Sequence, residues 1–180
     1  MPADTLDLAK QRSKMTRELV LKVVDGVSDE QLAWRPAPRA HSMAWTLWHI
    51  ARCADKFAAQ VGGTNEIWAR EKLAAKWGLA DELFGSNGLG TGVDDETAAT
   101  LRPPSKDPLL DYARRSFAAL DAVVERFDAN AIARELTTFY FDEPAAIGRA
   151  FVTSIAHENR HLGELEYLKG LLGFRGTATR

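Results

Sequence analysis

Two segments of this chain carry apolar residues at spacings that alternate between three and four. Met43, Leu47, Ile50, Ala54, Phe57 and Val61 make one row, and Leu110, Ala113, Phe117, Leu120, Val124 and Phe127 make the other. Such a row keeps one face of an α-helix turned toward a partner helix along its whole length, whereas a strand would need apolar residues at every second position. Leu8, Met15, Leu19 and Val23 recur at helical spacing near the start, and Ile147, Phe151, Ser154, Leu165, Leu168 and Leu172 form one stripe near the end. No run of alternating strands and no internal repeat is visible. Four amphipathic helices of this kind predict an all-α four-helix bundle.

Capping signals place the boundaries. The first helix is expected from about Asp4 to Asp25, with Gly26 as its C′ residue. Ser28-Asp29-Glu30-Gln31 opens a short turn that must stop before Trp34-Arg35-Pro36-Ala37-Pro38, whose prolines force an extended path. Ser42 is the expected N-cap of a second helix over about Met43 to Val61, closed by Gly62-Gly63. A short helix is expected over Asn65 to Trp77. The stretch from Gly78 to Pro108 is rich in Gly, Asp, Thr and Pro and has no phosphate-loop spacing. It reads as a long crossover between the second and third helices that borders a site. Asp107-Pro108 predicts the start of the third helix, and Asp128 to Ile132 a further turn. Leu136 to Pro144 reads as extended, with aromatic side chains to wall a pocket, and the fourth helix follows to Gly173.

The length of 180 residues suits one domain over 1–180, with a core large enough to need no disulfide. A net charge of −2 with no run of like charges gives no footprint for nucleic acid or an anionic membrane. The first residues, Met1 to Leu8, do not read as a signal peptide, and no apolar run approaches the about 20 residues expected of a membrane span. With the single cysteine, Cys53, this predicts a cytoplasmic protein.

The chain has four histidines, and His157 and His161 stand one helical turn apart within the apolar stripe of the last helix. Their imidazoles project from one face and can grip one ion, given at least one ligand from elsewhere. The alternative is a pair of core histidines satisfied by hydrogen bonds. His49 lies in the second helix, roughly 120° from the centre of its apolar row by helical-wheel geometry. Trp48 also lies off that row, so this helix is apolar nearly all round and needs cover on more than one side. Either the crossover or a second copy of the chain, a homodimer, would provide it. His41 precedes the N-cap and reads as an exposed loop residue.

Trp34-Arg35-Pro36, Trp45-Thr46-Leu47-Trp48-His49-Ile50 and His157-Glu158-Asn159-Arg160-His161-Leu162-Gly163 together resemble the DinB/YfiT superfamily, over nearly the whole chain. The resemblance implies a four-helix bundle holding a divalent metal on three histidines, often as a dimer. Carried over by position, the ligands would be His49, His157 and His161. Some members are thiol S-transferases that use bacillithiol, mycothiol or glutathione, and one relative isomerises maleylpyruvate. Three imidazoles leave a coordination position open, as catalytic sites do. Zinc or nickel heads the expected metals, although imidazole also suits iron and copper.

Three further side chains are weighed beside the histidines. Glu158 projects into the same stripe, as a general base or as a salt-bridged or second-sphere carboxylate. His157-Glu158-Asn159-Arg160-His161 also matches the HExxH of zinc proteases, but no third ligand follows at the right distance. Cys53 follows His49 by one turn and reads first as a small buried apolar residue. Trp45, one turn before His49, is the aromatic residue best placed to bind substrate. The leading expectation is a metal-dependent thiol S-transferase acting on small-molecule electrophiles, with a low-molecular-weight thiol as co-substrate. A hydrolase that activates water, and a non-catalytic metal-binding bundle closed by Cys53, are the alternatives.

Overall fold

The two three-four rows become two long helices packed against each other. The structure, a computed structural model, describes residues 3–80, 84–103 and 105–175. The domain expected over 1–180 and the crossover expected over 78–108 therefore each include residues outside this description. In chain order the elements are α1 (Ala3–Asp25), α2 (Asp29–Ala33), α3 (Met43–Gly62), α4 (Ile67–Arg70), α5 (Leu73–Lys76), α6 (Asp95–Ala98), α7 (Lys106–Glu125), α8 (Ala129–Ala133), β1 (Glu135–Leu136), β2 (Ala145–Ala146) and α9 (Ile147–Leu171). The four long helices α1, α3, α7 and α9 form the bundle: α3 lies between α7 and α9, and α1 closes the ring against the same two.

Local chemistry sets most of the ends. The Ser42 side chain accepts from the Trp45 amide to open α3, and Gly63 closes it in the left-handed region at φ 65°. Ser28 and Gln31 form a reciprocal capping box on α2. The helix expected over Asn65 to Trp77 is instead two single turns, broken where Lys72 takes φ 53°. Asp55 of α3 accepts from the Ile67 and Trp68 amides at 2.8 and 2.9 Å and so fixes the start of α4 on the bundle. The third long helix begins at Lys106, with Ser105 at the N-cap position, so Asp107 and Pro108 fall inside its first turn. Proline is tolerated there because those amides lack intrahelical partners. The segment expected to be extended pairs only at its ends, Glu135 with Ala146 and Leu136 with Ala145, and the aromatic residues between lie in a loop.

The inner face of α1 differs from the expected row. Leu8 and Met15 are 64% and 52% exposed, whereas Ser13, Thr16 and Arg17 are buried beside Val20, Val23 and Val24. The helix turns polar residues inward because they meet polar partners there: Arg17 donates to both oxygens of Glu158 on α9 and pairs with Asp121 on α7. The second apolar face of α3, a candidate dimer surface in the sequence, is covered within this chain by residues 84–93, which pack on Trp45 and Trp48. Among the described residues, no helix is long and apolar enough to cross a membrane.

Candidate metal centre

His157 and His161 stand one turn apart on α9, and their Nε2 atoms are 3.1 Å apart. His49 enters from α3, with its Nε2 3.0 Å from that of His157 and its ring centroid 4.9 Å from that of His161. The three imidazoles that resemble a ligand set in the sequence are thus brought into one cluster, with His157 in contact with both of the others. Cys53, read first as a packing residue, joins them with its Sγ 3.9 Å from His49 Nε2. One ligand atom each from His49, Cys53 and His157 lie within 4.8 Å of one another, a group that can hold a metal ion.

The hydrogen bonds behind the rings decide which nitrogens carry protons. The Nδ1–H of His49 donates to the Leu89 carbonyl at 2.7 Å, since a carbonyl oxygen only accepts. The Nδ1 of His161 donates to Glu164 at 2.6 Å. In their neutral forms both rings therefore turn an Nε2 lone pair toward His157. His157 has at most one proton on its own Nε2 and cannot bridge both neighbours with full hydrogen bonds. Its Nδ1 is buried and has no partner among the described residues. A cation shared by these nitrogens would relieve this crowding. With bonds of about 2.0–2.1 Å, a tetrahedral zinc separates its nitrogen ligands by roughly 3.3 Å, close to the 3.0 and 3.1 Å from His157 Nε2 to its two neighbours. The donor set fits a divalent ion, and the partners of His49 and His161 are of the kind that orient metal-bound imidazoles.

Electrostatics favour the same state. Burial pushes His49 down to about 4, only partly offset by its bond to Leu89, and with the neighbouring histidines pushes His157 down to about 3. Both are neutral near pH 7, as ligation requires. Burial pushes the Cys53 thiol up to about 12, so without a cation it stays protonated.

The remaining sequence candidates divide. Glu158 is 2% exposed and faces inward as expected, but its carboxylate is held by Arg17 and does not line the cavity. Burial pushes it up to about 7 against the pull of Arg17. Trp45 is sandwiched, with His41 stacked on one face at 3.7 Å and His49 on the other at 5.0 Å. Only its edge is left for a ligand, so it positions His49 more than it offers a platform. His41 is half-buried on this stack instead of exposed in a loop. All four histidines line a cavity of about 410 Å³, together with Cys53, Tyr140, Arg160 and the strap residues Leu89 to Val93. Glu164 was missed in the sequence, although its i,i+3 spacing from His161 was a signal that could have found it. Leu89 gave no such signal, because its contribution is a backbone carbonyl.

Comparison with known proteins identifies the family and the fold. The DinB superfamily profile matches residues 13–165, and the chain belongs to that superfamily. Among solved structures, a conserved protein from Enterococcus faecalis superposes with a TM-score of 0.78 at 19% identity, covering 93% of this chain and 97% of its own. A DinB-like protein from Bacillus cereus gives 0.63 at 18% identity, covering 92% and 91%. At these identities the likeness shows the fold. Comparison with curated proteins finds none that matches.

Proposed function

We propose that this chain is a metal-dependent transferase that joins a low-molecular-weight thiol to a small electrophile. The observation that supports the reading is that His157 Nε2 lies 3.0 Å from His49 Nε2 and 3.1 Å from His161 Nε2, in the wall of a cavity large enough for a small molecule. These three residues would hold the ion, zinc or nickel by their donor type. When bound, the ion supplies a Lewis acid that favours a thiolate at neutral pH.

The chain's own side chains would bind and orient the reactants. Phe139, Tyr140 and the edge of Trp45 offer apolar contact. Arg160 lines the same cavity, is exposed, and has no ion-pair partner among the described residues, which suits an anionic group on either reactant. Glu158 enters this proposal from behind the site, holding α9 to α1 through Arg17. Glu158→Gln tests its reading as a base: retained metal with lost turnover supports a base, and unchanged turnover removes that role.

The experiment is conjugation by zinc- and nickel-loaded protein, with a panel of thiols and electrophiles followed by loss of free thiol. Conjugation that needs both the ion and the thiol supports the proposal. Turnover independent of added thiol would replace it with a hydrolase, and no conjugation across the panel refutes it for those reactants. The proximity of Cys53 favours a second reading, in which its thiolate closes the coordination sphere and the bundle binds metal without turnover. Cys53→Ala separates the two: unchanged metal affinity leaves a three-histidine site with an open position, and a loss of about tenfold or more supports the closed one.

A further inference from the structure

His49 lies away from the main apolar row of its helix, and the residues that share its face explain why. Trp45, Trp48, His49, Arg52 and Lys56 all meet the strap of residues 84–93. Arg52 donates from Nε and Nη2 to the Gly88 carbonyl at 3.2 and 3.1 Å, and Lys56 donates to the Asn87 carbonyl. The next carbonyl along, that of Leu89, then faces His49 Nδ1 at 2.7 Å. Inside the strap, the Gly90 amide donates to Phe84 at 2.8 Å and the Leu89 amide to the Asn87 side chain at 3.1 Å. Arg52 is itself braced by Glu66 at 2.7 Å. Three successive carbonyls are thus registered on one helix face.

Gly90 makes the register possible. It takes φ 79°, and a Cβ there would lie 2.8 Å from Trp48 Cζ3 and 3.3 Å from Trp45 Cζ2. Both indoles are buried, so neither yields easily. A side chain at 90 would lift the adjacent peptide, whose oxygen is the Leu89 carbonyl.

We infer that the strap 84–93 is a positioning device for His49: anchored by Arg52 and Lys56 and seated by Gly90, it places the Leu89 carbonyl so that His49 keeps its proton on Nδ1 and presents Nε2 to the ion. The inference rests on the metal reading above and deepens it by assigning the loop that makes His49 a ligand. The helix that carries the ligand also carries the anchors of the group that orients it, so loop and centre form one unit. Loss of the strap contact would free His49 to move its proton to Nε2, the tautomer that cannot ligate through that nitrogen.

The test uses the full chain, as Gly90→Ala and Lys56→Met, with two readouts. Long-range proton–nitrogen NMR on the chelator-treated protein reports the tautomer of His49. Competition against a chromogenic chelator reports zinc affinity. The parent is expected to show His49 protonated on Nδ1. Gly90→Ala is expected to populate the Nε2–H tautomer and weaken zinc binding on the order of 100-fold, and Lys56→Met on the order of 10-fold. Far-UV circular dichroism checks the fold, and should Gly90→Ala fail to fold, Lys56→Met carries both readouts. An unchanged tautomer together with unchanged zinc affinity in the folded variants overturns the inference while leaving the metal site intact. A parent that binds no zinc overturns the metal reading, and the tautomer then decides the positioning role alone.

Discussion

Acid should destabilise the metal-free protein through His157, by an amount the structure sets. In the folded chain burial holds this imidazole at about 3, against 6.5 in its ordinary state. A histidine with a depressed folded value adds stability that is fully present above the unfolded value. That stability is lost as pH falls from 6.5 toward 3, because the unfolded chain takes up the proton first. Between pH 8 and pH 5 the unfolded imidazole becomes almost fully charged while the folded one stays neutral. The difference is about 1.5 pH units, or about 2 kcal/mol. Glu158 works in the opposite sense, since burial pushes its folded value up to about 7 from 4.5, and its native form gains a proton over the same range. The His157 contribution is therefore isolated by difference. Urea unfolding of chelator-treated parent and His157→Gln, followed by circular dichroism at pH 8 and pH 5, gives four free energies. The parent should lose about 2 kcal/mol more than the variant across this interval. Equal losses in the two proteins would refute the reasoning, and would mean that His157 is protonated or solvated in the native state.

Further expectations follow from the same geometry. The protein purified without chelator should hold about one divalent ion per chain by elemental analysis. His161→Ala should reduce added-metal affinity, and no metal with an unchanged His161→Ala affinity would remove the site. Arg17→Met leaves the Glu158 carboxylate buried without its guanidinium, with both partners only 2–3% exposed. It should cost about 3–5 kcal/mol by urea unfolding, and the Arg17→Met, Glu158→Leu double variant should recover part of that loss. Asp55→Ala strips the acceptor from the Ile67 and Trp68 amides and the Tyr112 hydroxyl. Each buried group left unpaired costs about 1–3 kcal/mol, so a loss of 3 kcal/mol or more is expected. A loss below 1 kcal/mol would mean that water replaces the carboxylate.

The bundle was legible because long helices announce themselves locally. The rows Met43 to Phe57 and Leu110 to Val124 depend only on the 3.6-residue period, and the Ser42 cap only on its own neighbours. The His157–His161 pair was legible for the same reason, since two residues one turn apart share a face in any helix. By itself the sequence therefore determined the four long helices, the all-α class and the shared face of His157 and His161. Tertiary structure decided which face of α1 is inside, because Arg17 is buried only where Glu158 and Asp121 meet it. It also decided how His49 reaches the pair on α9, how Trp45 stacks with both His41 and His49, and that Cys53 joins His49 and His157 in one group of possible ligands. The physical reason is separation along the chain. These contacts join residues whose partners are far away, and one of the partners, the Leu89 carbonyl, is a group that every residue possesses and no side-chain pattern reveals.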